Sequence, residues 1–367
     1  MSRLILPGLI DPHVHLRDPG QTQKEDFYTG TCAALAGGYT TILDMPNNKV
    51  PITTLERLEE KISIAKEKIV CDVGFYFGSL GDNLDQFKKV QNKVLGLKLY
   101  LNETTGNFRI NKDLLENVFP AWSMKVDSPR TPVLHSAGVS TNNKPILVHA
   151  EGQSVEEVIN VVKKIKTPTH FCHISQASEL KMIIHAKEQG LPITCGVTPH
   201  HLFLTEHDAK ALSPFGQMKP SLSSKKDQDF LWKNLHYIDV IESDHAPHTI
   251  EEKQSDNPPY GVPGLETTLP LLLTAVSQKR LTMEDIIRLC HRNPAKILNI
   301  KADPQTKIEI NTHDSYFIIP DSLFTKCGWS PFDAWKVKGK VIRVFIRGRK
   351  VFEDEKILAR PGFGRVI

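Results

Sequence analysis

The sequence predicts an α/β protein built as a (β/α)8 barrel of the TIM type, with a small β side sheet made mainly from the C-terminal tail. Three observations lead there. Short apolar, β-branched runs alternate with helical stretches along most of the 367 residues. Eight such runs precede the tail, the number that closes a barrel. The polar residues suited to chemistry fall at the C-terminal ends of these runs, the face on which such barrels build their sites.

Strands are expected at 4–10, 39–44, 72–77, 95–101, 145–149, 169–173, 192–197 and 237–243. Among the helices, 54–69 opens on Thr54 and carries Glu and Lys at helical spacing. The stretch 155–166 has Ser154 placed as its cap, and 178–189 and 226–234 complete the set. The segment 119–144 is rich in Ser, Pro, Asn and Thr and reads as a long surface insertion before the fifth strand. Beyond Val337 the chain alternates in the β manner, as two or three antiparallel strands. The expected division is a barrel over 1–310 and an extension over 311–367 that carries the small sheet.

A formal charge of +4, spread without a basic block, argues against nucleic acid as a partner. No apolar run is long enough to span a bilayer and no signal peptide opens the chain, so no membrane partner and a cytoplasmic location are expected. The six cysteines are scattered, with no C-x-x-C pair, and read as reduced thiols.

The candidate chemistry begins at His13 and His15. Two histidines two positions apart at a strand end point the same way and can reach one metal ion. Arg17 adds a fixed fork suited to a carboxylate. Asn47 follows the second strand, Lys98 lies in the fourth, His149 ends the fifth and His173 the sixth, and Asp244 follows the eighth. Either of His149 and His173 alone would read as an ordinary buried side chain; their matched placement on adjacent strands favours ligation. A lysine facing a barrel interior is costly unless paired or chemically changed. Carbamate formation with carbon dioxide would turn Lys98 into an anionic, two-oxygen ligand.

Asp11-Pro-His-Val-His-Leu-Arg-Asp-Pro-Gly20, Lys24-Glu-Asp-Phe27, Met45-Pro-Asn47, Gly96-Leu-Lys-Leu-Tyr100, Val148-His-Ala-Glu151, Cys172-His173, Thr198-Pro-His-His-Leu202, Ser243-Asp-His-Ala-Pro-His248 and Pro263-Gly-Leu-Glu-Thr267 together resemble the dihydroorotase family of the amidohydrolase superfamily. The likeness runs over nearly the whole chain. It is strongest to the dihydroorotase domain of the multifunctional carbamoyl-phosphate synthetase, aspartate transcarbamoylase and dihydroorotase proteins, which implies fusion to those two partner domains. The resemblance implies zinc-dependent cyclisation of N-carbamoyl-L-aspartate to (S)-dihydroorotate, the third step of pyrimidine biosynthesis, in a homodimer. It implies two Zn2+ per chain: His13, His15 and Asp244 on one, His149 and His173 on the other, and carboxylated Lys98 between them. Asp244 would also be the catalytic acid and base. Arg17 and Asn47 would hold the substrate carboxylate, with His248 beside it, and main-chain groups near Lys219 and Tyr260 would contact the ring amide. Thr104 and Thr105 would close over the substrate, in a loop more like that of some bacterial relatives than the aromatic one of animals.

Position 196 is Gly where many relatives are acidic, which disfavours a third metal beside Cys172. Two rivals stand against this reading. Allantoinase or dihydropyrimidinase would share the metal set, but Arg17 and Asn47 favour a ring bearing a carboxylate. A non-catalytic scaffold would have lost ligands that are all present here.

Overall fold

The computed structural model describes residues 3–104, 106, 108–124 and 144–367. Thr105 and most of the expected insertion lie outside the described residues. The first strand, β1 (Arg3–Pro7), is followed by eight parallel strands that neighbour one another in chain order. These are β2 (Leu9–Val14), β3 (Tyr39–Asp44), β4 (Asp72–Gly78), β5 (Gly96–Tyr100), β6 (Ile146–His149), β7 (Thr169–Phe171), β8 (Ile193–Val197) and β9 (Val240–Ile241). A parallel bridge between Val14 and His245, with the His15 N–H donating to the His245 carbonyl at 2.8 Å, carries the first strand of this sheet to the chain leaving the last and all but closes the barrel. A five-stranded antiparallel sheet stands beside it in the order β1, β10 (Lys307–Phe317), β11 (Lys336–Ile346), β12 (Arg349–Glu353), β13 (Lys356–Ile357).

The run expected as one strand over 4–10 is therefore two strands in two sheets. The division falls at Gly8, where a Cβ would meet Thr40 Oγ1 at 2.2 Å, so only a residue without a side chain lets the chain cross there. The side sheet begins at Arg3 and resumes at Lys307, so residue 310 lies inside β10. The last expected barrel strand, 237–243, shortens to two residues because Leu235–Tyr237 forms a 3-10 turn and the chain leaves the sheet at Glu242.

The helix Leu55–Lys68 has the expected Thr54 cap, its hydroxyl accepting from Arg57 N. Ser154 is not a cap. The helix Gln153–Ile165 starts earlier, with Gly152 at φ 56° as its N-cap. Two helices, Phe27–Ala36 and Leu265–Ser277, escaped the sequence reading because they are apolar nearly all round. The second is sandwiched between barrel and side sheet: Lys338 N donates to Thr274 Oγ1 at 2.8 Å, and Gly339 packs against Leu273. The start of the expected insertion is core instead. Phe119 and Trp122 are buried in the helix Leu115–Ser123, and Trp122 Nε1 donates to the Lys144 carbonyl. All six cysteines are buried free thiols. Among the described residues, no helix is long and apolar enough to cross a membrane.

Candidate active site

The C-terminal ends of the barrel strands open into a narrow cleft. His13, His15, Arg17, Asn47, His149 and His173 line it together with Asp244. Further lining comes from Tyr100, Thr104, Lys219, Tyr260 and Gly261.

The approach to the cleft is held by carboxylates set into the main chain. Asp11 accepts from His13 N at 3.0 Å and from Ser243 N at 3.2 Å, tying the first and last barrel strands together. Burial raises its carboxyl to about 7. Asp44 accepts from Leu16 N at 2.8 Å and pairs with the buried Lys61 ammonium at 2.7 Å. Arg17, His173 and Asp244 sit at φ 63°, 37° and 45°, a region that costs a residue with a side chain about 1–3 kcal/mol. The surrounding bonds hold these strained turns in place, which aims all three side chains.

His15 Nδ1 lies 2.8 Å from Asn47 Oδ1. A carbonyl oxygen only accepts, so Nδ1 carries the proton and Nε2 is left with a lone pair, 3.1 Å from Asp244 Oδ1. His13 Nε2 lies 3.3 Å from the same oxygen. His149 Nε2 is 3.0 Å from Glu151 Oε1, while its Nδ1 is 3.2 Å from His173 Nε2. Donor atoms of His13, His173 and Asp244 lie within 4.8 Å of one another. Burial pushes the four imidazoles down, His13 to about 4, so they are neutral at pH 7, the form that binds a cation. Burial also raises Asp244, against the pull of His13 and Lys98.

Lys98 is fully buried in β5. Among the described residues its ammonium donates to Cys172 Sγ at 3.1 Å, lies 4.8 Å from the centre of the Tyr100 ring, and has no carboxylate within ion-pair distance. Neutral imidazoles, one carboxylate and a buried amine without a counter-ion form a donor set that fits divalent metal.

Arg17 is 4% exposed. Its Nε donates to the Pro247 carbonyl at 3.1 Å, and its Nη2 lies 3.1 Å from His248 Nε2. His248 is fully buried behind Arg17 and does not line the cleft. Its Nε2 lies 2.9 Å from the Tyr260 carbonyl and its Nδ1 3.2 Å from Lys24 Nζ. Lys219 and Tyr260 meet at the cleft wall, the ammonium 5.1 Å from the ring centre.

The comparisons with known proteins agree over the whole chain. The amidohydrolase family model matches residues 4–351. The dihydroorotase of Pyrococcus furiosus is 38% identical over 372 aligned residues, covering 100% of this chain and 86% of that protein. This chain belongs to the amidohydrolase family, among the dihydroorotases. The multifunctional protein CAD of Squalus acanthias is 42% identical over 99% of the chain, which spans only 15% of that protein's length. Among solved structures, an L-hydantoinase from Arthrobacter aurescens superposes with a TM-score of 0.90 at 23% identity, covering 99% of this chain and 88% of that one. An inactive dihydroorotase-like domain of a Chaetomium thermophilum multifunctional protein gives 0.82 at 24% identity, covering 100% of both chains. At those identities the likeness is one of fold.

Several residues of this site were not singled out from sequence. Glu151 and Glu25 stand within quoted motifs, and a search for carboxylates beside histidines would have found them. Glu25 is 3.3 Å from His245 Nε2 and accepts from Thr325 Oγ1 at 2.5 Å, joining the barrel face to a loop 300 residues away. Tyr100 carries a buried hydroxyl with no hydrogen-bond partner among the described residues. Lys253 is buried, with Nζ donating to the carbonyls of Gln217 and Pro259 at 2.9 Å, which binds together two segments of the cleft wall. Glu242 has no sequence signal at all.

Proposed function

We propose that this chain interconverts N-carbamoyl-L-aspartate and (S)-dihydroorotate, the ring-closing third step of pyrimidine biosynthesis. The observation that carries the proposal is the buried Arg17 fork beside the histidine and aspartate cluster. It joins an anchor for a carboxylate to a hydrolytic centre in one cleft.

In this reading His13, His15 and Asp244 would hold one zinc and His149 and His173 another, with carboxylated Lys98 as a further ligand. Bound there, two such ions supply Lewis acidity to a carbonyl oxygen and make a water acidic near neutral pH. The chain's own residues do the rest. Arg17 and the Asn47 amide nitrogen hold the α-carboxylate; the Asn47 oxygen is already committed to His15. In ring closure Asp244 takes a proton from the carbamoyl nitrogen as that nitrogen bonds to the side-chain carboxyl carbon, and the carboxyl C–O bond breaks so that its hydroxyl leaves with that proton as water. In ring opening Asp244 takes a proton from the water that attacks the ring carbonyl and passes it to the ring nitrogen as the C–N bond breaks. Main chain near Lys219 and Tyr260 orients the ring amide. Thr104, with Thr105 beside it, covers the substrate. His248 acts from behind, keeping Arg17 at its angle. A homodimer, linkage to carbamoyl-phosphate synthetase and aspartate transcarbamoylase domains, and a cytoplasmic setting complete the proposal.

The test is dihydroorotate ring opening followed by absorbance, with zinc quantified in the same preparation and dihydrouracil and allantoin as competing substrates. Turnover restricted to dihydroorotate, with about two zincs per chain, is expected. Preference for a ring without a carboxylate would overturn the assignment. Absence of both zinc and turnover after zinc and bicarbonate are restored would favour a scaffold.

A further inference from the structure

Glu242 leaves the barrel sheet just after β9 and is fully buried. Three groups meet its carboxylate. Oε1 accepts the His173 N–H at 2.5 Å. Oε2 lies 3.6 Å from His13 Nδ1 and 3.6 Å from His170 Nε2. His170 Nδ1 is 2.9 Å from the Thr194 hydroxyl. With that hydroxyl donating, the ring proton sits on Nε2 and faces Glu242.

The contact with His13 has a direction. Its Nδ1 faces Glu242 while its Nε2 faces Asp244 and the cleft. At 3.6 Å this is an electrostatic contact and not a hydrogen bond, and a carboxylate on that side favours the tautomer with the proton on Nδ1, which leaves Nε2 free to meet a metal. The contact with His173 is to the main chain, at a residue held at φ 37°. A short, charge-assisted bond anchors that strained turn and thereby the imidazole it carries.

Gly196 makes the arrangement possible. A Cβ on Gly196, in β8, would lie 2.4 Å from Glu242 Oε1 and 2.7 Å from its Cδ. The missing side chain of β8 is the space that the carboxylate from beyond β9 fills.

We infer that Glu242 is a positioning residue for metal binding, orienting His13 through Nδ1 and fixing His173 through its main chain, with Gly196 as the complement that admits it. The inference rests on His13 and His173 being metal ligands.

The experiment titrates the full-length, metal-stripped chain with Zn2+ against a chromophoric chelator and follows melting of the metal-free protein in parallel. Glu242→Gln should weaken zinc binding about 10–100-fold with little change in melting. Gly196→Ala, which displaces the carboxylate without removing it, should weaken zinc binding in the same direction but less. Returning the carboxylate from the other strand, in Gly196→Glu combined with Glu242→Ala, should recover part of what Glu242→Ala loses. Wild-type zinc affinity in Glu242→Gln would overturn the inference. If that variant does not fold, wild-type affinity in folded Gly196→Ala would overturn it equally. Loss of one bound ion with the others held at wild-type affinity would make Glu242 a ligand, with His13 and Cys172 nearby, and would also overturn it. Because the readout is zinc, a chain that binds zinc normally yet leaves dihydroorotate intact refutes the substrate assignment and not this one.

Discussion

Replacing Arg17 by lysine keeps the charge and removes the fork. A guanidinium has five N–H donors. In this chain Nε is spent on the Pro247 carbonyl and one Nη2 position faces His248, so three remain for a substrate carboxylate. A lysine ammonium at the same place is a point charge that cannot serve Pro247 and both carboxylate oxygens together. At least one hydrogen bond to a charged group is lost, worth about 1.5–3 kcal/mol. That corresponds to roughly 10–150-fold in kcat/KM for dihydroorotate. The assay that isolates the carboxylate compares inhibition by orotate with inhibition by uracil, the same ring without it. Orotate should weaken by that same factor in Arg17→Lys, while uracil stays within about twofold, since only the fork has changed. Equal loss for both rings would show that the substitution disturbs the cleft at large. A loss below about threefold for orotate would show that Arg17 does not hold the carboxylate, since such a change is smaller than one charge-assisted bond.

Three further outcomes are expected. Asp244→Asn removes the proton carrier and should lower kcat by about 10²–10⁴-fold, with circular dichroism of the wild-type chain retained; near-normal turnover would remove Asp244 from the chemistry. Lys98→Ala should abolish tight retention of the second zinc, and bicarbonate should speed reactivation of the wild-type apoprotein but not of the variant; two firmly held zincs in Lys98→Ala would contradict the bridge. At a histidine ligand protons compete with metal only once the ring accepts them, and burial has moved His13 from 6.5 down to about 4. Its neutral, ligating form therefore persists below the usual histidine range, so zinc measured after dialysis should stay bound at pH 6 and leave as the pH falls toward 4.

The barrel was legible because its strands are short β-branched runs separated by amphipathic helices, patterns that local sequence carries. The failures have physical causes. Gly8 interrupts no apolar pattern, so the exit of β1 to another sheet left no trace in 4–10. Leu265–Ser277 shows no polar stripe because both of its faces are covered. The metal-cluster candidates were readable because they repeat at strand ends, and Arg17 because it follows two of them. Glu242 was not, because its meaning lies in Gly196, 46 positions away in sequence and adjacent only across two barrel strands.

The pattern of satisfied and unsatisfied atoms also says where the cleft expects a visitor. His15 has Asn47 behind it and His149 has Glu151, each at hydrogen-bond distance on the side away from Asp244 or His173, while Glu242 stands behind His13 at 3.6 Å. A buried polar atom left without a partner costs about 1–3 kcal/mol, and a fold that supports so many of these groups would be expected to support all of them. Yet the Tyr100 hydroxyl has no hydrogen-bond partner among the described residues, and neither does His173 Nδ1. Among the described residues Lys98 meets a thiol and an aromatic face and no carboxylate. The lack of a hydrogen-bond partner holds also for His13 Nδ1 and Glu242 Oε2 behind the cleft and for the Tyr39 hydroxyl away from it, so among the described residues the unpaired atoms gather around the cleft without being confined to it. Groups that the protein leaves unpaired in one place are groups paired by something it binds there, and the neutral imidazoles, the stranded amine and the buried fork select for metal and a carboxylated ring together.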